Sequence, residues 1–284
     1  MAVVVVTDSS ASVDPDTAKR LGIRVVPLHV LVGSRQLDEG VDEMPPDVTA
    51  DGITTSAASP GEVRAAYTAA LAASDGDGVV GVHISRQLSA TWDAARAAAD
   101  ELGAGVRVVD SRAAALGTGF AAMAAARVAA AGAGLDAAYE AAVDVSRRCR
   151  CLIVVDSLDA LRRGGRISTI TALLGTALVT KPLLHVEDGK LALREKVRTS
   201  SKALARLVDT AVECATAAAA TEAGTALAVQ HYGAADRAEL VAGQLRHRIP
   251  DLRELVVTEF GPTLAVHVGR GAVGVVVVPG GLPR

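Results

Sequence analysis

The sequence predicts an α/β protein. Its N-terminal half builds a mostly parallel sheet with flanking helices, and its C-terminal half is a second α/β domain with a mixed or antiparallel sheet. Three observations predict this. The chain opens on a continuous β-branched run at 2–6, of the kind buried on both faces of a parallel sheet. Strand-length apolar runs then alternate with helix-length segments, a βαβ progression. In the second half two apolar runs, PLLHV and KLALREKV, meet near Asp188-Gly189, a strong hairpin signal. A chain of 284 residues has room for two domains. The change in character divides it into 1–160 and 161–284.

Taken in order, Asp14-Pro15 is an N-cap followed by proline at the first helical position, and Gly22 closes that helix before a strand over 24–32. Ser59-Pro60-Gly61-Glu62 reads as a capping box opening a helix to about Ala73. A strand follows at 78–84, a helix from Ser89 to Leu102, a strand at 106–109 ending in Asp110-Ser111, and an alanine-rich helix over about 113–131. Beyond the hairpin come a helix at 201–220, a strand at 226–231, a helix at 235–247, and strands near 254–259 and 273–278.

Composition narrows the function. Only 2% of residues are aromatic and the formal net charge is −3, so neither base stacking nor a phosphate-binding cationic surface is provided for, and no nucleic-acid partner is expected. Three cysteines, Cys149, Cys151 and Cys214, are too few and odd in number for a disulfide framework, and complete no metal-ligand spacing. They read as buried thiols in a reducing cytoplasm. The uncharged stretch 113–126 is rich in alanine and glycine and too short to span a bilayer, so no membrane anchor is expected.

Several motifs are weaker than they look. Gly269 to Gly274 matches G-x-G-x-x-G but precedes a strand, whereas a dinucleotide site needs a helix there. No P-loop, G-x-S-x-G elbow or H-E-x-x-H occurs. Histidines 29, 83, 185, 231 and 247 fall on predicted strands or a helix face and read as structural or solvated. What remains is a set of small polar loops at strand ends: Thr7 to Ser10, Thr54-Thr55-Ser56, Ser85 to Ser89, and Asp110-Ser111. In an open α/β sheet such carboxyl ends converge on a ligand crevice. Asp14 and Ser59 are assigned to capping. Ser89 can serve either as a cap or, with the first-turn N–H groups, as an anion contact. Arg162-Arg163-Gly164-Gly165-Arg166-Ile167-Ser168 surrounds a glycine pair with arginines, which suits an anion or a solvated turn.

In order, these segments resemble the DegV family of bacterial fatty-acid-binding proteins. The matches are TDSSASVD at 7–14, TTSAASPGE at 54–62, ISRQLSATWDAA at 84–95, VVDSRAAALGTG at 108–119, LRRGGRIS at 161–168, LVTKPLLHVEDGKL at 178–191 and HVGRGAVG at 267–274. The resemblance implies two α/β domains with a long-chain fatty acid such as palmitate, stearate or oleate between them. The implied carboxylate contacts are Thr55, Ser56 and Ser89, with Arg166 and His267 nearby. No catalytic residue, metal or cofactor is implied. The sequence departs from the family pattern at Ala57, Ala90 and Arg270, where the pattern has Gln, Gly and Pro.

Burying about 14 methylenes at ~0.8 kcal/mol each yields roughly 11 kcal/mol, so the tail would supply affinity and the head group orientation. The resemblance further implies a cytoplasmic carrier that presents the carboxylate to a separate ATP-dependent fatty acid kinase, which makes acyl phosphate. The missing nucleotide motif makes such a partner necessary. The alternatives are an esterase or thioesterase using Ser89 with His267, and a fatty-acid-responsive regulatory protein.

Overall fold

The structure is a computed structural model and describes residues 3–166, 181–217 and 224–283. The chain divides into two compact units, Met1–Met44 with Thr55–Arg148 and Leu282–Arg284, and Pro45–Thr54 with Cys149–Gly281.

The described N-terminal elements run β1 (Val4–Asp8), α1 (Pro15–Leu21), β2 (Arg24–Val26), β3 (His29–Val32), β4 (Arg35–Asp38), β5 (Ile53–Ser56), α2 (Pro60–Ser74), β6 (Val79–His83), α3 (Thr91–Leu102), β7 (Val106–Asp110), α4 (Leu116–Ala130) and α5 (Leu135–Arg148). Strands β2, β1, β6 and β7 form a parallel sheet in that order. Helices α2 and α3 cover one face through Val63, Tyr67, Ala70, Ala95 and Ala98. Helix α4 also packs on β1 and β6. It is apolar on every side and nearly all buried, as a helix with no solvent face must be.

The capping signals act as read. Asp14 accepts from the Thr17 N–H at 2.8 Å and Gly22 takes a left-handed conformation. Ser59 and Glu62 form a reciprocal capping box.

The stretch 24–32 is two strands, because Pro27 has no N–H to continue a ladder. Strand β2 joins β1 in parallel, while β3 pairs antiparallel with β4 in a separate sheet of order β4-β3-β5. Thr54 to Ser56 lie on strand β5, not in a loop.

The second unit holds β8 (Arg150–Val154), α6 (Asp159–Arg163), β9 (Lys181–Glu187), β10 (Lys190–Val197), α7 (Ser200–Thr216), β11 (Thr225–His231), α8 (Ala235–Arg248), β12 (Leu252–Glu259), α9 (Pro262–Val268) and β13 (Val273–Val278) among the described residues. One mixed sheet has the order β10-β9-β8-β13-β11-β12. Its β11–β12 pair is parallel and the other pairs are antiparallel. The β9–β10 hairpin turns on Asp188 (φ 49°) and Gly189 (φ 79°), the left-handed pair that a two-residue loop requires.

Helices α7 and α8 pack on the sheet through Leu207, Val208, Val241 and Leu245, against Leu152, Leu183, Leu227 and Val275. The longer segment of the second compact unit begins at Cys149 and includes β8, which is hydrogen-bonded between β9 and β13. Residue 2 of the first predicted strand, 218–220 of the helix predicted at 201–220, and Ile167 and Ser168 of the glycine-arginine segment lie outside the described residues.

Candidate functional site

In the first unit the order β2-β1-β6-β7 places the topological switch between β1 and β6, the position at which an open sheet leaves a crevice beyond its strand ends. The short 3-10 turn Ser9–Ala11 follows β1, and the segment 84–89 follows β6. A buried polar network joins these ends. Asp8 accepts from the Ile84 N–H at 3.0 Å, lies 3.0 Å from His83 Nδ1, and accepts from the Ser10 hydroxyl. His83 Nε2 lies 2.7 Å from the Tyr67 hydroxyl.

Asp8, His83 and Tyr67 are fully buried, and burial pushes the Tyr67 phenol up beyond its usual range, with the Asp8 charge second. Tyr67 therefore keeps its proton, and its hydroxyl, the His83 ring and the Asp8 carboxyl form one buried hydrogen-bonded chain. A Cβ at Gly81 would collide with the Tyr67 hydroxyl, so β6 carries glycine opposite the network. Sequence reasoning classed His83 as structural and missed that Asp8 organises both loops. The adjacency of Asp8 to Ser9-Ser10 at a strand end was the available signal.

The hydroxyls of the first unit are held individually. Ser9 Oγ donates to Glu39 at 2.6 Å and accepts from the Leu28 N–H at 2.9 Å. Thr55 and Ser56 are adjacent and half-buried at the end of β5. Ser89 is half-buried in the segment after β6. Its Oγ lies 2.9 Å from Thr91 Oγ1 and accepts weakly from the Thr91 N–H at 3.3 Å. The N-cap of α3 is Ala90, one residue later than the predicted start, and it supplies no side-chain acceptor. Nearby in sequence, His29 is buried between Asp38 at 2.8 Å and Glu62 at 3.2 Å, which ties β3 to the start of α2.

The second unit carries the other two predicted residues, and it brings them together. Helix α6 ends at Gly164, where Arg166 donates to the Gly164 carbonyl. Helix α6 packs against α9, whose last turn holds His267. A Cβ at Gly164 would overlap His267 Nδ1, so this glycine is what lets the imidazole approach the turn. Burial, with the Arg166 guanidinium second, pushes the His267 imidazole down to about 4. His267 is therefore neutral near pH 7, and the corner's positive charge comes from Arg166.

Arg163 extends from α6 to Asp51 at 3.7 Å. The G-x-G-x-x-G segment leaves the C-terminal end of α9 and enters β13, the reverse of a dinucleotide turn. Arg270 is exposed, and its side chain runs along Gly233. Asp156 is held below its usual range despite burial, because Lys181 at 2.9 Å and Arg237 at 3.2 Å favour its ionised form.

Among the described residues there is no cluster of three or more His, Cys, Asp or Glu able to hold a metal, and no helix long and apolar enough to cross a membrane. Chemically, the first unit offers hydroxyl and N–H donors, and the second a guanidinium beside a neutral imidazole. These groups suit an oxyanion.

Comparison with known proteins gives a consistent result. A family model for proteins described as the DegV family matches residues 2–280. A DegV domain-containing protein of Mycobacterium tuberculosis is 50% identical over 283 residues, covering 100% of this chain and 99% of the relative. Two solved structures are similar. One, described as fatty acid binding of a DegV family protein from Thermus thermophilus, has a TM-score of 0.90 at 29% identity and covers 98% of this chain and 100% of that one. The other, DegV from Bacillus subtilis, described as a fatty acid binding protein, has a TM-score of 0.85 at 28% identity over 98% and 99% of the two chains.

Proposed function

The chain belongs to the DegV family, and from that premise we propose that it binds a long-chain fatty acid and presents the carboxylate to a separate ATP-dependent fatty acid kinase for conversion to acyl phosphate. The observation that carries the binding is the similarity, over nearly the whole chain, to two DegV proteins described as binding fatty acid. In this reading Thr55, Ser56 and Ser89 donate hydrogen bonds to the carboxylate, Arg166 supplies charge, and neutral His267 supplies a ring N–H. A buried carboxylate needs such partners, since without them its desolvation would outweigh what the tail contributes.

The protein itself makes no bond. Its contribution is to hold one carboxylate oxygen in position for phosphoryl transfer, where orientation is the gain. The place of action is the cytoplasm, where the kinase has its nucleotide.

Native mass spectrometry of the purified protein, followed by solvent extraction, tests the binding. One long-chain fatty acid per chain is the expected result. A protein that is reproducibly empty and takes up no added palmitate, stearate or oleate overturns the reading. Supplying a fatty acid kinase and ATP then tests presentation through formation of acyl phosphate. Ester hydrolysis without any partner would instead make the protein a hydrolase.

A further inference from the structure

Cys149 and Cys151 flank Arg150 at the start of β8, and their sulfurs lie 3.7 Å apart, both partly buried. A disulfide needs about 2.05 Å, so closure asks for a sulfur displacement of about 1.6 Å. The two residues are unequally constrained. Cys151 is fixed in the ladder opposite Val276, while Cys149 precedes the strand and can supply the rotation. Between them, the Arg150 guanidinium donates to the Cys149 carbonyl at 2.9 Å. The third cysteine differs. Burial raises the Cys214 thiol, against the opposing influence of Arg194 and Arg150.

We infer that Cys149 and Cys151 form a reactive dithiol that closes to an intramolecular disulfide by exchange with a low-molecular-weight disulfide. One thiolate attacks a sulfur of that disulfide, forming a mixed disulfide and expelling one small thiolate. The second cysteine then attacks the protein sulfur of the mixed disulfide and expels the other. Two protein thiols are oxidised, one small disulfide is reduced to two thiols, and the protons pass to the departing thiolates. A ring joining residues two apart is strained, which makes the bond labile and reversible by excess thiol.

The full chain is incubated with glutathione disulfide, quenched with acid, alkylated and weighed intact. The expected product has lost the mass of two hydrogens and takes one alkyl group, at Cys214. Reduction with dithiothreitol should restore three alkylatable thiols. Cys149→Ser and Cys151→Ser should each lose closure entirely and stop at the glutathione adduct, whereas Cys214→Ser should close as the parent does. Accumulation of a stable adduct in the parent, closure that survives in Cys149→Ser or Cys151→Ser, or reaction at Cys214 alone would each overturn the assignment. The parent's own product carries the test if a serine variant folds poorly.

Discussion

Two histidines show how differently the two units use the same side chain. His83 has a partner for each ring nitrogen, Asp8 on one side and Tyr67 on the other, and all of these groups are fully buried. His267 is pressed against Gly164 beside a guanidinium, and burial together with that charge holds it far below the usual imidazole range. The first arrangement is complete within itself and fixes two strand ends. In the second, an arriving anion would offset the charge of Arg166 and favour protonation of the ring. A buried histidine whose hydrogen bonds are closed is a clasp. One depressed by burial and by a neighbouring cation is where an oxyanion would lower the energy.

The largest test of that contrast removes the clasp. Asp8→Ala would leave the Ile84 N–H, the Ser10 hydroxyl and the His83 ring N–H without their shared acceptor in the interior. The expected loss is about 3–5 kcal/mol in urea-induced unfolding. A loss under about 1 kcal/mol would show that the network is not what joins the ends of β1 and β6.

His267 should reveal itself through pH. Its folded-state value of about 4 lies below the ordinary 6.5, so between these values the unfolded chain binds the proton and the folded one does not. Stability therefore rises with pH across that window, and falls as the solution is acidified from about 6.5 towards 4. At pH near 4.5 the penalty is about 2.5 kcal/mol, and His267→Gln should abolish it. Comparing urea midpoints at pH near 7.5 and 4.5 for parent and variant isolates this contribution from other titrating groups. Equal acid losses in both proteins would remove His267 as the source. If fatty acid binds as proposed, its carboxylate should raise the imidazole and shrink the parent's acid loss, which sharpens the contrast.

Tyr67→Phe is a smaller probe of the clasp. It deletes one hydrogen-bond partner and keeps the ring in the α2 packing cluster, so about 1.5 kcal/mol should be lost with little change in fatty acid content. A change in fatty acid content larger than the change in stability would mean that the clasp is not self-contained.

Much of this was legible in the sequence where a residue's chemistry is local. Asp14-Pro15, the Ser59 to Glu62 capping box and Asp188-Gly189 declare their turns through their own side chains and backbone preferences, and the structure places them accordingly. The small sheet of β3, β4 and β5 was not legible. Its strands are four residues each, too short for periodicity to show, and although Pro27 marks the break between 24–26 and 29–32, only tertiary pairing sends the two strands to different sheets. Helices α6 and α9, of five and seven residues, escaped for the same reason.

The candidate residues were named from family resemblance, which carries no geometry. That Gly164 makes room for His267, and that Asp8 rather than a serine organises the end of β1, follow from contacts between distant segments.

Ser89→Ala should have the smallest effect and separates two roles that one hydroxyl can play. Its Oγ supports the start of α3 through Thr91, and a lost local bond of this kind costs about 0.5–1.5 kcal/mol of stability. If Ser89 also donates to the bound carboxylate, the same truncation weakens fatty acid retention by up to about tenfold. Thr91→Val supplies the contrast, since it removes the internal partner and leaves the Ser89 hydroxyl in place. Competition binding with a fluorescent fatty acid should show weaker binding in Ser89→Ala and near-parent binding in Thr91→Val, at similar stability losses. Equal binding losses in the two variants would make Ser89 a helix-start residue and return it to the side of the closed, self-satisfied groups that His83 represents.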